Sequence, residues 1–460
     1  MIDTRAADFT MRRRCFVLSV LLVFWCDLSV AASHFVSLKH APEERRLDPN
    51  FWIGQSKHPD TILLTSSDID RLNVEMRTTF QAGVNLLDET MLRSGQTLRW
   101  KILKEYDSLI DRLSTGLQDR GKAFRKSCLL NLALERIPEE LPVRYGIVTR
   151  FCDQRLLPTT ASAIADPESR DIDLVQNSAL DIGTPLRILH ESRDGRWLFV
   201  HCDISSGWIK REFVAACDRE AVSRFLKPDT PVVFLQAKSP VREEASANAN
   251  LSGLLRMGAY LPFAGDCSGP LVSVWVPRRS KEGNLDVRKG WVSENDVRIG
   301  FLPLTPRNIT TQAFRMLGAP YGWGGMGQAQ DCSRFIQEIF ATMGLMLPRN
   351  SGDQARVLET IASFGQEATC SDREERIRHS VEPGEGLLYM KGHIMLYLGS
   401  MGTSVYVIHA THGFRKSHPD GERFVRLNRV VVSDLSLGEG SRKGSLCERL
   451  ISVHGISGGR

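Results

Sequence analysis

The chain has 460 residues, 42% hydrophobic, 25% charged and 8% aromatic. At roughly 150 residues per domain this is enough for about three domains with buried cores, and the balance excludes a mainly disordered or low-complexity chain. Lys and Arg number 59 against 54 Asp and Glu, a net of +5, too diffuse a charge to single out nucleic acid as a partner. Ten cysteines are too few for a disulfide-held scaffold, so each is read on its own.

The N-terminus carries Met11-Arg-Arg-Arg14, an apolar run from Cys15 to Trp25, and small residues at Ala31 and Ala32. A basic start, a short apolar run and a small-residue site predict a cleaved export signal over residues 1–32. The run is shorter than the ~20 residues that span a bilayer, and no later segment is longer. The expectation is an exported protein, periplasmic or envelope-associated, with no stable membrane span once the signal is removed.

Residues 33–144 are expected to form a helical, stabilising domain. Ile69, Leu72, Met76 and Phe80 recur at three- and four-residue steps, as do Ile102, Leu103, Tyr106, Leu109, Ile110 and Leu113. From 145 to 218 the pattern changes to short strands: Pro185–Leu189, an Asp194-Gly195 hairpin turn, Trp197–His201, then Gly207-Trp208-Ile209. This arrangement resembles bacterial SH3-like domains. Residues 228–300 repeat it loosely and end on Gly290-Trp291-Val292, so two divergent SH3-like barrels in tandem are expected, with a linker near Lys227–Pro231.

Residues 301–460 carry the chemistry. Asp331 suits a helix N-cap, Gly344 a C-terminal stop, and Phe335, Ile336, Ile339, Phe340 and Met343 share one apolar face. Cys332 then falls in the first turn, where the helix dipole favours a thiolate. The upstream Tyr321–Gly327 run is glycine-rich but lacks a following Lys-Ser/Thr, so it is not a phosphate loop; it is expected to let backbone approach a substrate closely. Two apolar runs follow, His393–Leu398 and Ser404–Ala410. If Leu398 pairs with Ser404 across a five-residue loop, His393 stands directly opposite His409, with Cβ atoms ~5 Å apart. His412 has the wrong parity in that register. A cysteine at a helix start with two cross-strand histidines is the apparatus of a thiol acyl hydrolase. Cys332 is the nucleophile, His393 the base, His409 the orienting residue, and the Cys332 N–H an oxyanion donor. His409 and His412 lack the spacing that completes a metal site, so neither metal nor cofactor is expected.

Pro320–Gly325, Asp331-Cys332-Ser333, Leu347–Gln354, Gly392–Gly399 and Ile408-His409-Ala410 together resemble, in order, the catalytic domain of NlpC-type bacterial cell-wall cysteine peptidases. The resemblance covers residues 303–415 and implies a multidomain chain: an α+β, papain-like catalytic domain preceded by a helical segment and two small SH3-like β-barrels. It also implies that Tyr321 lines the site near the oxyanion and that Asp331, Ser333 and Ser351 help hold the substrate. The implied partner is the peptidoglycan stem peptide, cut by a monomer between D-glutamate and the diamino acid through a thioester. Arg334 replaces the family's usual Gly and places a cation near the cleft. Rival readings are a thiol amidase or acyltransferase on the same fold, and a non-catalytic SH3-like wall-binding protein. The tail beyond residue 430 matches no pattern.

Overall fold

The computed structural model describes residues 34–37, 39, 43–80, 83–114, 121–164, 171–246 and 248–456. The export signal expected over residues 1–32 lies outside them. Among the described residues, no helix is long and apolar enough to cross a membrane.

The first described elements belong to the C-terminal domain. Strand β1 (Phe35–Val36) runs parallel to the strand that holds Val432 and Ser433. Helix α1 (Pro49–Ile53), with Asp48 as its cap, buries Trp52 in the same region. Helix α2 (Ser66–Thr78) starts with a reciprocal Thr65–Asp68 capping box and turns Ile69 and Met76 into that core. Helices α3 (Gly95–Ser114) and α4 (Gly121–Asn131) pack elsewhere, setting Ile102, Leu109 and Cys128 against Trp197, Phe199 and Trp208. The expected helices form but share no core of their own. An apolar stripe announces burial without naming the surface that covers it.

The first antiparallel sheet holds β2 (Tyr145–Val148), β3 (Cys152–Arg155), β4 (Gln176–Leu180), β5 (Pro185–Glu191), β6 (Trp197–His201), β7 (Ser206–Lys210) and β8 (Val214–Cys217). Helix α5 (Arg219–Leu226) fills most of the interval before the second. That sheet holds β9 (Pro231–Phe234), β10 (Lys238–Arg242), β11 (Leu251–Arg256), β12 (Tyr260–Ser268), β13 (Leu271–Arg279), β14 (Leu285–Ser293) and β15 (Val297–Ile299). Their orders are β4-β3-β7-β6-β5-β2-β8 and β11-β10-β14-β13-β12-β9-β15, so each strand has its counterpart seven strands later. The bulge repeats too, between Gln154 and Arg155 and between Val241 and Arg242. Trp208 pairs with Arg155 as Trp291 pairs with Arg242, placing both Gly-Trp motifs on the same strand of a duplicated topology.

The C-terminal domain contains α6 (Pro306–Arg315), α7 (Cys332–Ala341), α8 (Ser351–Val357), β16 (Glu359–Ser363), α9 (Cys370–Ser380), β17 (Gly386–Met390), β18 (His393–Met401), β19 (Ser404–His418), β20 (Gly421–Asp434) and β21 (Ser452–Gly455). Its sheet runs β1-β20-β19-β18-β17-β21-β16. Helix α7 lies on it with Phe335, Ile336, Ile339 and Phe340 fully buried among Ile394, Leu396 and Ile408. Each such side chain contributes roughly 1.5–3 kcal/mol of hydrophobic stabilisation. The tail that no sequence pattern placed is structural: β21 inserts between β17 and β16.

Candidate active site

Asp331 caps α7 by accepting the Arg334 N–H on Oδ1 at 2.8 Å. Cys332 is therefore the first helical residue, and its Sγ lies 3.9 Å from the Gly392 carbonyl, in the turn that leads into His393. Across the sheet, His393 Nε2 and His409 Nδ1 are 2.7 Å apart, and His409 Nε2 is 3.0 Å from Ser433 Oγ on β20. Ser433 was not among the residues read from sequence, since only the β19–β20 register brings it to His409.

The two histidines meet by a different route from the one expected. Strands β18 and β19 join through a two-residue turn, Gly402-Thr403, with Met401 paired to Ser404. Eight residues back and eight on, that register alone would set His393 opposite His412 and turn His409 to the other face. A bulge at Leu398 shifts the ladder by one residue, so that Leu396 pairs with Ile408. Continued inward, Met395 aligns with His409, two residues from His393 and on the same face. The expected Leu398–Ser404 pairing is thus off by two, an even slip that keeps the side chains together where an odd one would have parted them. The rings end with centroids 5.0 Å apart.

Electrostatics correct a second expectation. Burial, with Asp331 adding to it, pushes the Cys332 thiol up to about 12, against the backbone N–H groups of Ile394 and Ser333 and the charge of Arg349. Burial and Arg449 draw His393 down to about 4, and burial with the neighbouring His393 holds His409 well below the usual histidine range. The resting site is a neutral thiol beside neutral imidazoles. A helix terminus offers ~0.3–2 kcal/mol to a charge, whereas desolvating a buried ion costs several kcal/mol.

The residues assigned to substrate by resemblance separate into two groups. Asp331 and Ser333 turn inward. Asp331 Oδ2 accepts from Arg349 Nη2 at 2.6 Å and from the Gly324 N–H at 3.1 Å, while Ser333 Oγ donates to Asp331 and accepts from Arg349 Nη1, both at 3.1 Å. Burial opposes the Asp331 charge, yet Arg349 holds its carboxyl below the usual range. Ser351 opens α8, partly exposed and outside this network. Tyr321 stands beside Cys332: burial, with the nearby Cys332 and Asp331, keeps its phenol well above the usual range. Its ring is 6.0 Å from His412, whose Nε2 is 3.4 Å from Asp171.

The first sheet borders this site. Arg349 Nε donates to Ser178 Oγ on β4 at 2.9 Å, and Gln176 Nε2 to the Gly324 carbonyl at 3.3 Å. A Cβ on Gly324 (φ +61°) would lie 2.5 Å from the Gln176 side chain. The close approach that Gly324 allows is to a neighbouring domain. Arg334 is likewise not a cleft cation. It reaches Glu338 and Gln337 at 2.8 Å and Asp181 at 3.0 Å, and Asp181 also takes a two-pronged bond from the fully buried Arg256 of β11. These charges lock both sheets to the back of α7. Among the described residues, no group of three or more His, Cys, Asp or Glu side chains could hold a metal ion.

Two stretches of the chain match known protein families. Residues 318–425 match the NlpC/P60 family and residues 162–210 the SH3 domain of the SH3b1 type. The chain therefore resembles NlpC/P60 proteins over residues 318–425 and SH3 domains over residues 162–210, the second lying ahead of the first. It is similar to the gamma-D-glutamyl-L-lysine dipeptidyl-peptidase of Bacillus subtilis, 34% identical over 109 residues, which cover 22% of this chain and 35% of that one. It is also similar to the probable endopeptidase p60 of Listeria seeligeri, 31% identical over 97 residues, 20% of this chain and 16% of that one. The chain thus spans about a third or less of these curated relatives. An NlpC/P60 endopeptidase from Photobacterium damselae subsp. piscicida shares the fold at a TM-score of 0.69 and 21% identity, over 88% of this chain and 96% of that one.

Proposed function

We propose that the chain is an exported cysteine endopeptidase of peptidoglycan that cuts the bond between D-glutamate and the diamino acid of stem peptides. The observation that carries this reading is the relay from the Cys332 turn through His393 and His409 to Ser433. When His393 Nε2–H donates to His409 Nδ1 and His409 Nε2–H donates to Ser433 Oγ, His393 Nδ1 keeps the lone pair that takes the thiol proton. Cys332 attacks the peptide carbonyl as its proton moves to His393, the first-turn N–H receives the oxyanion, and the imidazolium returns the proton to the leaving amine. Water then hydrolyses the thioester. Desolvation keeps the thiol and the imidazole uncharged at rest, so the thiolate forms as substrate arrives. Tyr321 and Ser351 border the peptide. Asp331 and Ser333 act from behind, holding the nucleophile's helix start. The name of the Bacillus subtilis relative supports the γ-glutamyl bond as the one cut.

Mass spectrometry of digested murein and of free tripeptides tests the reading. The wild-type chain is expected to release products cut after γ-D-glutamate, Cys332→Ala and His393→Ala to release none while melting normally, and His409→Ala to be strongly slowed. Unchanged products from Cys332→Ala overturn the mechanism. Products cut at the sugar–L-alanine amide replace the endopeptidase with an amidase.

A further inference from the structure

We propose that Cys370 and Cys447 are a disulfide-forming pair, a redox-modification site that staples the C-terminal segment to the catalytic domain by exchange with a disulfide-bearing oxidant. Cys370 opens α9 and is partly exposed, whereas Cys447 is buried in the loop before β21; both are free thiols in this structure. Cys447 Sγ donates to the Cys370 carbonyl at 3.6 Å, which brings the Cys447 sulfur against the residue that carries the second thiol. The backbones that carry them are already fixed on each other by one buried guanidinium. Arg373 donates to the carbonyls of Gly365 and Ala368 on one side and of Cys447, Glu448 and Leu450 on the other, at 2.8–3.1 Å. With both segments held by Arg373, the two cysteines stay next to each other, as a disulfide requires.

The chemistry closes with a low-molecular-weight or protein disulfide as oxidant. The accessible Cys370 loses its proton and its thiolate attacks one sulfur of that disulfide, releasing a first thiol and forming a mixed disulfide. Cys447, deprotonated in turn, attacks the Cys370 sulfur and expels the second thiol. The protein loses two hydrogens and the oxidant's disulfide becomes two thiols.

The staple has a defined mechanical target. It closes a loop of 77 residues, which restricts the unfolded chain. It also anchors the loop that delivers β21 to β17, and β17 runs through the Lys391-Gly392 turn straight into His393. The oxidised form therefore holds the strand behind the base against fraying from the C-terminal end. This inference does not depend on the catalytic reading, because its test scores linkage and melting and not activity.

The full-length protein is incubated with oxidised glutathione or with reduced dithiothreitol, then digested without reduction and mapped by mass spectrometry. The expected result is a Cys370–Cys447 peptide pair lighter by two hydrogens, and an oxidised form melting at least about 5 °C above the reduced one. That difference is expected to vanish in Cys447→Ser, each variant being compared with itself across the two conditions. Cys370→Ser, at the more exposed position, gives the same test if Cys447→Ser does not fold. Glutathione found separately on Cys370 and Cys447 overturns the proposal, as does a linked pair that leaves the melting temperature unchanged.

Discussion

The two seven-stranded sheets share their strand order and their bulge, yet they meet the nucleophile helix α7 in different ways. Because the bulges coincide, Gln176 and Ser178 on β4 correspond to Leu251 and Gly253 on β11. In the first sheet that edge strand is nearly all buried, and its polar Gln176 and Ser178 bond the Gly324 carbonyl and Arg349 at the front of α7. In the second the strand begins exposed at Leu251 and ends in the fully buried Arg256, which grips Asp181 and Glu338 behind α7. A duplicated framework thus supplies position, and a few side chains on one edge decide whether a copy touches the chemistry or only the scaffold. An edge strand exposes unpaired backbone, and the first sheet uses the catalytic domain as its cover.

If this division is right, variants behind α7 change stability and variants in front change activity as well. The largest effect is expected from Arg256→Ala. It leaves Asp181 and Glu338 buried with only Arg334 between them, and breaking a buried pair this way costs about 3–5 kcal/mol. Urea unfolding is expected to show that loss, with kcat/KM of the folded fraction near wild type. Arg349→Ala comes next, at about 3 kcal/mol for an unpaired buried Asp331, but here kcat is expected to fall at least about tenfold, because the cap of the Cys332 helix loosens. Equal losses of activity in the two variants break the comparison.

How far the sequence carried this division depends on the distance over which each feature is encoded. The helix α7, its cap Asp331, its apolar face and the Cys332–His393–His409 set rest on short-range patterns, and all were legible. The bulge at Leu398 was not, because the Gly399 beside it reads equally well as the start of the turn between the strands. Its effect on the site survived only because the slip was even. Ser433, β21 and the Arg334 cluster were invisible for a different reason. They are contacts between elements far apart in the chain: Asp181 with Arg256 is 75 residues apart and with Arg334 153. A substitution at 334 read as a cleft cation is, in three dimensions, an internal tie.

The pH profile sharpens the front of α7. His393 is held neutral down to about 4, below its value near 6.5 in an unfolded chain. Between those values the unfolded state binds the extra proton, so stability is complete above about 6.5 and is lost as pH falls toward 4. Activity requires the same neutral ring. The acid limb of kcat/KM is therefore expected near pH 4, with a flat profile from about pH 6 upward, and iodoacetamide is expected to label Cys332 slowly at neutral pH. An acid limb near 6.5 with rapid labelling would mean a thiolate–imidazolium pair at rest, and burial would not be the controlling term.

The smallest expected effect discriminates most finely. Ser178→Ala removes one acceptor from Arg349 while leaving its two bonds to Asp331, from Nη2 at 2.6 Å and from Nη1 at 3.2 Å. A lost hydrogen bond of this kind costs about 0.5–1.5 kcal/mol, more if the donor stays buried and unpaired. A drop of a few degrees in melting temperature and a few-fold fall in kcat/KM are expected. Leu251→Ala, on the corresponding edge strand of the second sheet at the counterpart of Gln176 and 54% exposed, is expected to move neither by more than about 0.5 kcal/mol or its equivalent in rate. Matched effects at the two positions would show that the sheets serve the catalytic domain only as mass. A fall confined to Ser178→Ala shows that the first copy works through this edge strand, because the fold and the place of the strand in its sheet are common to both copies and their side chains differ.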